Sequence, residues 1–248
     1  MIFNFFLKKH NGLNIRFFRD NYTLPVLSLC LFHSISVKHR IMGKHRIDVQ
    51  TWPRREHFEF FGRMDDPYFG LTAKADFTKC QIEARRDGAS FFLYSLHKIL
   101  RAANAISEFR CRVEGGEVYE YDLVGVSSTI GREDGSFGFG YFPYVEDRAA
   151  FVRIAAAEVE RVKNASGLCL DVQEDRRDLI YYSSLPWIDF SDLKHPGSLS
   201  GDRSVPGITT GRLVPSEGRL LMSVSVHLNH GLADGRHVAQ FFRLLEML

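Results

Sequence analysis

Long apolar runs are missing from this chain of 248 residues. None approaches the roughly 18–20 residues that a membrane-spanning helix needs, so no span is expected. Cysteine is scarce: Cys30, Cys80, Cys111 and Cys169 lie far apart, with no Cys-x-x-Cys pair. That spacing supplies neither a disulfide framework nor a zinc-ligand set, so no metal is expected and a reducing cytoplasm is the expected compartment. Internal repeats and low-complexity segments are also absent.

Net charge is small, at +2, and unevenly placed. Residues 1–41 hold six Lys/Arg and one acid, Asp20, which leaves a net charge of −3 on the remainder. A mildly acidic body without a basic stripe argues against a nucleic-acid surface. Nor is there an amphipathic basic helix to lie on a membrane. Phenylalanine is what the chain has in quantity, with 21 residues, so a Phe-rich core or pocket is expected. An apolar content of 45% and a charged content of 25% are those of a globular domain.

Residues 1–41 do not read like the rest. They mix Phe pairs with Lys/Arg and one short apolar stretch, 24–32, which Ser28 and Cys30 interrupt. No small-x-small cleavage site follows it. This segment reads as an extension, either unfolded or placed before the true start at Met42; a targeting segment or a structured arm are the other readings. One domain is expected over 42–248.

Within that domain, 47–49 begins a strand, 58–61 is aromatic and extended, and 71–77 alternates as a strand. Residues 89–109 carry Phe92, Leu96, Ile99, Leu100, Ala103 and Ile106 at helical spacing. A hairpin is expected over 112–121, turning at Gly115-Gly116. The glycine-rich stretch 131–140 reads as loop. Residues 149–163 form a second amphipathic helix, 178–184 and 220–230 are strands, and 235–248 is a closing helix. Strands and helices mix without regular alternation, which predicts an α/β two-layer sandwich with a mixed β-sheet.

The C-terminal segment concentrates the chemistry. Val224, Val226, Leu228 and His230 share one strand face, while Ser223, Ser225, His227 and Asn229 take the other. His230 is the polar last member of an apolar row. The chain then turns through 231–233, and Asp234 is placed to cap the closing helix. His230 also fits a satisfied core histidine, and Asp234 a cap and nothing more. A metal pair of His227 and His230 is excluded, because residues three apart on a strand face opposite ways.

His230-Gly-Leu-Ala-Asp234-Gly235 resembles the HxxxDG signature of chloramphenicol acetyltransferases, a signature shared with dihydrolipoamide acyltransferases and condensation domains. The run 47–61, with Trp52, Arg54, Arg55, Glu56, His57 and Phe58, resembles the start of the chloramphenicol enzymes. Ser183-Ser184-Leu185-Pro186-Trp187 is similar to their S-x-L-P-W, and Thr209 falls where they carry a strand Thr. The blocks follow the family order over about 46–248. A condensation domain needs two such lobes, and the dihydrolipoamide enzymes lack the Arg54–Phe61 run.

The resemblance implies a CoA-dependent acyltransferase fold and transfer of an acetyl group from acetyl-CoA to a hydroxyl of a small molecule, with chloramphenicol the first candidate acceptor. It implies His230 as general base, Ser183 as oxyanion donor and Thr209 as its helper. It also implies Asp234 and Arg54 as a supporting salt bridge and Arg212 as a contact to the coenzyme phosphate. A homotrimer with sites at subunit interfaces goes with it, as does antibiotic resistance. Phe60, Phe61 and Phe69 fall at acceptor-pocket positions. Ile130 replaces an aromatic there, His195 an aliphatic and Gly207 a larger aliphatic, so another small alcohol is an equal candidate. A non-catalytic ligand-binding paralogue is the alternative from a different class; it is expected to lack His230, Ser183 or Thr209, and all three are present.

Overall fold

The computed structural model describes residues 43–172, 176–196 and 203–248. The expectations for residues 1–41 lie outside the described residues.

Two sheets form. The larger has six strands in the order β2 (Tyr68–Asp76), β9 (Arg219–Asn229), β8 (Gly207–Ser216), β7 (Leu179–Ser184), β5 (Gly125–Gly131), β6 (Phe137–Phe142). It is mixed, since β5, β7 and β8 run parallel and the outer pairings are antiparallel. The smaller sheet has the order β1 (Lys44–Arg46), β4 (Glu117–Tyr121), β3 (Cys111–Glu114). The helices are α1 (Arg55–Phe61), α2 (Thr78–Arg86), α3 (Phe91–Asn104), α4 (Ser107–Arg110), α5 (Arg148–Asn164) and α6 (Gly235–Met247). The chain is α/β with a mixed sheet, as its pattern of elements predicts.

One face of the large sheet makes the core. Val224, Val226 and Leu228 of β9, Ile208 of β8 and Ile180 of β7 are buried against the helices. Helix α6 contributes Val238, Phe241 and Leu245, a stripe at three-four spacing with each side chain fully buried. Truncating Phe241 to Ala costs about 3–5 kcal/mol on that basis. The other face is lined by short polar residues and glycines, and the segment after β7 crosses it. Gly211 permits that crossing: a Cβ there would sit 3.0 Å from the Ile188 carbonyl oxygen and 3.1 Å from the Phe190 ring.

Four expectations need correction. The first strand ends at Arg46, and 47–49 leads into a turn in which the Asp48 carboxylate accepts the Gln50 N–H at 3.0 Å. Residues 58–61 are not extended but belong to helix α1, where Arg55 pairs with Glu59 one turn on at 2.8 Å. Four aromatics and acids in a row conceal the helical period there. The helix expected over 89–109 breaks at 105–106 into α3 and α4. The glycine-rich stretch expected as loop contains β6: Phe137, Phe139 and Tyr141 alternate with Gly138 and Gly140, and a Cβ on Gly138 would meet Val162 of α5 at 2.9 Å. The hairpin does turn at Gly115-Gly116, with φ of 60° and 85°, the left-handed pair that a tight two-residue turn demands.

Candidate functional site

The sequence-predicted residues other than Ile130 fall into two groups, one at each face of the large sheet. The first surrounds His230. Strand β9 ends at Asn229, and His230 is the first residue of the turn beyond it, anchored by its N–H donating to the Pro67 carbonyl at 2.8 Å. Asn229 folds the turn: its side-chain oxygen accepts the Gly231 N–H at 2.8 Å, and its carbonyl accepts the N–H groups of Leu232 and Ala233, both at 3.0 Å. Gly231 is needed because a Cβ would come within 3.1 Å of Asn229 Oδ1 and 3.3 Å of Phe58 Cα.

The imidazole of His230 is held by rings. Phe61 stacks on it at 4.0 Å between centroids with an interplanar angle of 5°, and Phe69 packs at 4.6 Å and 40°. Phe60 lies edge-on to Phe61 and is largely exposed. His230 Nδ1 is buried with no hydrogen-bond partner among the described residues. Nε2 is therefore the ring nitrogen left to meet a ligand.

Arg54 and Asp234 brace the turn from behind. Arg54 Nη1 donates to Asp234 Oδ2 at 2.6 Å, and Nη2 donates to the His230 carbonyl at 3.1 Å. Asp234 also caps α6, accepting the Arg236 N–H at 2.9 Å. His237, one turn on, accepts the Asp234 N–H at 3.0 Å and places its other nitrogen 3.3 Å from Glu108. Burial alone would raise the Asp234 carboxyl. The hydrogen bonds from Arg54 and the Arg236 amide outweigh it and hold the carboxyl below the usual carboxylate range.

The second group lies on the opposite face. Ser183 of β7 and Thr209 of β8 are register partners, Thr209 pairs with Ser225 of β9, and Ser225 with Thr72 of β2. Because directly paired residues point the same way, four hydroxyls form a row across the sheet. His195 caps this row, its Nε2 lying 2.5 Å from Thr209 Oγ1. Burial, and then the neighbouring His227, lower the proton affinity of His195. Gly207, two residues before Thr209, shares its face. A cleft of about 450 Å³ also opens here, lined by Thr72, Lys74, Asp189, Phe190 and Ser223. Arg212 is exposed within the bulge between Thr210 and Leu213, and its N–H donates to the Ile188 carbonyl at 2.8 Å.

One chain does not bring the two groups together. His230 lies five residues beyond Ser225, roughly 17 Å along an extended strand, and their side chains belong to opposite faces. Ile130 joins neither group: it is buried in the core with Val126 and Ile180, on the helix-covered face. His227, Ser225, Thr72 and His237 join the site through the fold and not through any motif in the sequence. The alternation of 223–227 carried the signal for the first two, since it places short polar residues on one face of a buried strand.

Among the described residues no group of three or more His, Cys, Asp or Glu side chains is placed to hold a metal ion. No described helix is long and apolar enough to cross a membrane.

Known proteins resemble this arrangement at two levels. The family model for chloramphenicol acetyltransferase matches residues 42–246. Chloramphenicol acetyltransferase 3 of Escherichia coli is 29% identical over 208 residues, covering 84% of this chain and 97% of its own. The enzyme of Streptomyces acrimycini is 28% identical over 204 residues, covering 82% and 92%. A solved chloramphenicol acetyltransferase superposes with a TM-score of 0.77 at 30% identity, over 83% of this chain and 99% of that one. The cubic core of the pyruvate dehydrogenase multienzyme complex, with a TM-score of 0.57 at 16% identity, shares the fold alone. The chain belongs to the chloramphenicol acetyltransferase family and is an acyltransferase.

Proposed function

We propose that the protein moves an acetyl group from acetyl-CoA to a hydroxyl of a small molecule, with chloramphenicol the first candidate acceptor. His230 acts as the base. Its Nε2 takes the acceptor's hydroxyl proton as the oxygen attacks the thioester carbonyl. A tetrahedral oxyanion forms, and the Ser183 hydroxyl donates to it; such a donor is worth about 3–4 kcal/mol of barrier. Collapse expels the CoA thiolate, which recovers the proton from the imidazolium. Arg212, on the second face, supplies positive charge suited to the coenzyme's phosphates, whereas Lys74 is paired with Asp189 at 2.6 Å. Thr209 supports the oxyanion side, and Arg54 with Asp234 fixes the turn that carries His230. The folded domain of 42–248 works in the cytoplasm, with 1–41 as an extension.

The observation that carries this reading is the division of the site. His230, with one ring nitrogen sealed and the other open, stands on one face, and Ser183 stands on the other. Two copies of the chain, each giving one face, complete a site, which is the arrangement of a trimer with active centres between subunits. Exposed apolar side chains near both groups, Phe60 on one side and Tyr181 and Trp187 on the other, are consistent with burial between copies.

The test is release of free thiol from acetyl-CoA with chloramphenicol and a panel of small alcohols, run beside His230→Ala. Turnover on at least one acceptor, abolished in the variant, is the expected result. Turnover that survives the substitution removes His230 as base.

A further inference from the structure

The second face holds more polar chemistry than Ser183 alone accounts for. Thr72 Oγ1, Ser225 Oγ and His227 Nδ1 are all buried there without a hydrogen-bond partner among the described residues. His227 lies between Gly70 and Gly207, its register partners on the two flanking strands. A Cβ on Gly70 would fall 2.7 Å from His227 Nε2, whereas one on Gly207 would meet only His227 Cβ, at 3.8 Å. The imidazole thus leans over Gly70 and leaves the space above Gly207 open. His195 stands beside that space, its ring 6.1 Å from His227 and nearly edge-on at 74°.

The proton in the contact between Thr209 and His195 can be placed. Thr209 is fully buried, and His195 Nε2 is its hydroxyl's partner. If Nε2–H donated to the hydroxyl, the Thr209 proton would have no acceptor among the described residues, and an unmet buried donor is the costlier arrangement. The hydroxyl therefore donates to Nε2. Desolvation, reinforced by His227, keeps the ring neutral. A neutral ring that accepts at Nε2 carries its proton on Nδ1, which is not among the sealed nitrogens of the site.

We infer that His195 is a specificity-determining residue: buttressed by Thr209, it offers Nδ1–H beside the open position over Gly207 to an oxygen acceptor, such as a carbonyl or ester, on the alcohol substrate. This rests on the acyl-transfer reading above and sharpens it. The one proton of Thr209 goes to His195, so on the oxyanion side its oxygen acts by accepting from a water that in turn donates to the oxyanion, and the acceptor is an alcohol bearing a second, hydrogen-bond-accepting oxygen. A purely apolar alcohol leaves Nδ1–H unpaired and is disfavoured.

Two measurements test this. In protein labelled with ¹⁵N at histidine, the His195 resonances, assigned by their loss in His195→Leu, are expected to report the Nδ1–H tautomer. Thr209→Val is expected to shift the ring toward Nε2–H. An Nε2–H ring in the wild type, or a Thr209→Val spectrum unchanged at His195, overturns the proposal. The second measurement compares acetyl transfer to methyl 4-(hydroxymethyl)benzoate and to 4-propylbenzyl alcohol. Wild type is expected to favour the ester by roughly tenfold or more in kcat/KM, His195→Leu to lose that preference, and His195→Gln to keep part of it. An equal preference in wild type and His195→Leu overturns the selection role. If the wild type acetylates no alcohol, the acyl-transfer reading fails instead, and the tautomer measurement still decides the Thr209–His195 assignment.

Discussion

Arg54 and Asp234, 180 residues apart in sequence, meet at 2.6 Å, and the second nitrogen of the same guanidinium reaches the His230 carbonyl. One side chain thus ties the cap of α6 to the residue after β9. The Arg54 side chain is 12% exposed and that of Asp234 33%, so the pair is braced but not dry. Arg54→Ala takes the donor from Asp234 Oδ2 and from the His230 carbonyl, while Oδ1 keeps the Arg236 N–H. The expected loss is about 1–3 kcal/mol, below that of a fully buried pair because water reaches Asp234. It reads as a fall in Tm of roughly 2–12 °C together with lost activity. Lost activity at wild-type Tm contradicts a bracing role.

The same pair gives a pH dependence with a definite sign. Asp234 is held below its ordinary value in the folded chain, so the unfolded chain binds the proton more readily. The pair's contribution is fully present above the ordinary carboxylate value near pH ~4 and is lost as pH falls through the lower folded value. The stability gap between wild type and Arg54→Ala is therefore expected to narrow in acid, below about pH 4. Denaturant titrations of both proteins at neutral and acid pH measure it. A gap that stays constant across that range means the ion pair is not its source.

How much of this was legible in the sequence depends on which forces placed each residue. His230, Asp234 and α6 were legible because strand alternation, a capping Asp and a helical stripe are local signals. The aromatic run at 58–61 looks extended in sequence, since Phe58, Phe60 and Phe61 satisfy either period, and the choice of helix comes from packing that no window displays. Ile130 landed in the core because a one-residue step along β5 reverses its face. The contact of His195 with Thr209 joins a loop to a strand, and nothing in either segment announces it. Nor does the sequence of one chain reveal that His230 and Ser183 stand on opposite faces; that follows from the register of four strands.

Gly70 and His227 form a close pair that substitution can probe. Gly70→Ala drives a Cβ to 2.7 Å from a ring nitrogen of His227, so the imidazole must move. A destabilisation of about 1–3 kcal/mol is expected, as for overpacking elsewhere. His227→Ala removes the obstacle, so the double variant is expected to be more stable than the sum of the two single effects predicts. Thermal melts of the four proteins measure the coupling, and additive effects contradict the close approach.

Thiol reactivity is expected to sort by burial. Burial pushes the Cys80 thiol up to about 11 and the Cys111 thiol up to about 12. Both are enclosed, whereas Cys169 is half-exposed. Brief alkylation of the native protein, read by peptide mass spectrometry, is expected to modify Cys169 and spare Cys80 and Cys111. Rapid labelling of Cys111 contradicts the packing of β3 against β4.

Division of the site between faces yields the sharpest prediction. His230→Ala and Ser183→Ala are each expected to be inactive, for lack of the base and of the oxyanion donor respectively. Each still carries the half that the other has lost. If a site takes His230 from one subunit and Ser183 from the next, unfolding and refolding an equal mixture recreates whole sites wherever the two kinds meet in the right order. With head-to-tail interfaces and random assembly that is about one interface in four, so roughly a quarter of wild-type activity returns. A site built within a single chain gains nothing from mixing, because no molecule in the mixture holds both groups. Recovery must also depend on refolding together, since the same two proteins refolded apart and then combined lack mixed interfaces until subunits exchange. Activity that stays at the level of the separate variants after joint refolding contradicts a site shared between copies.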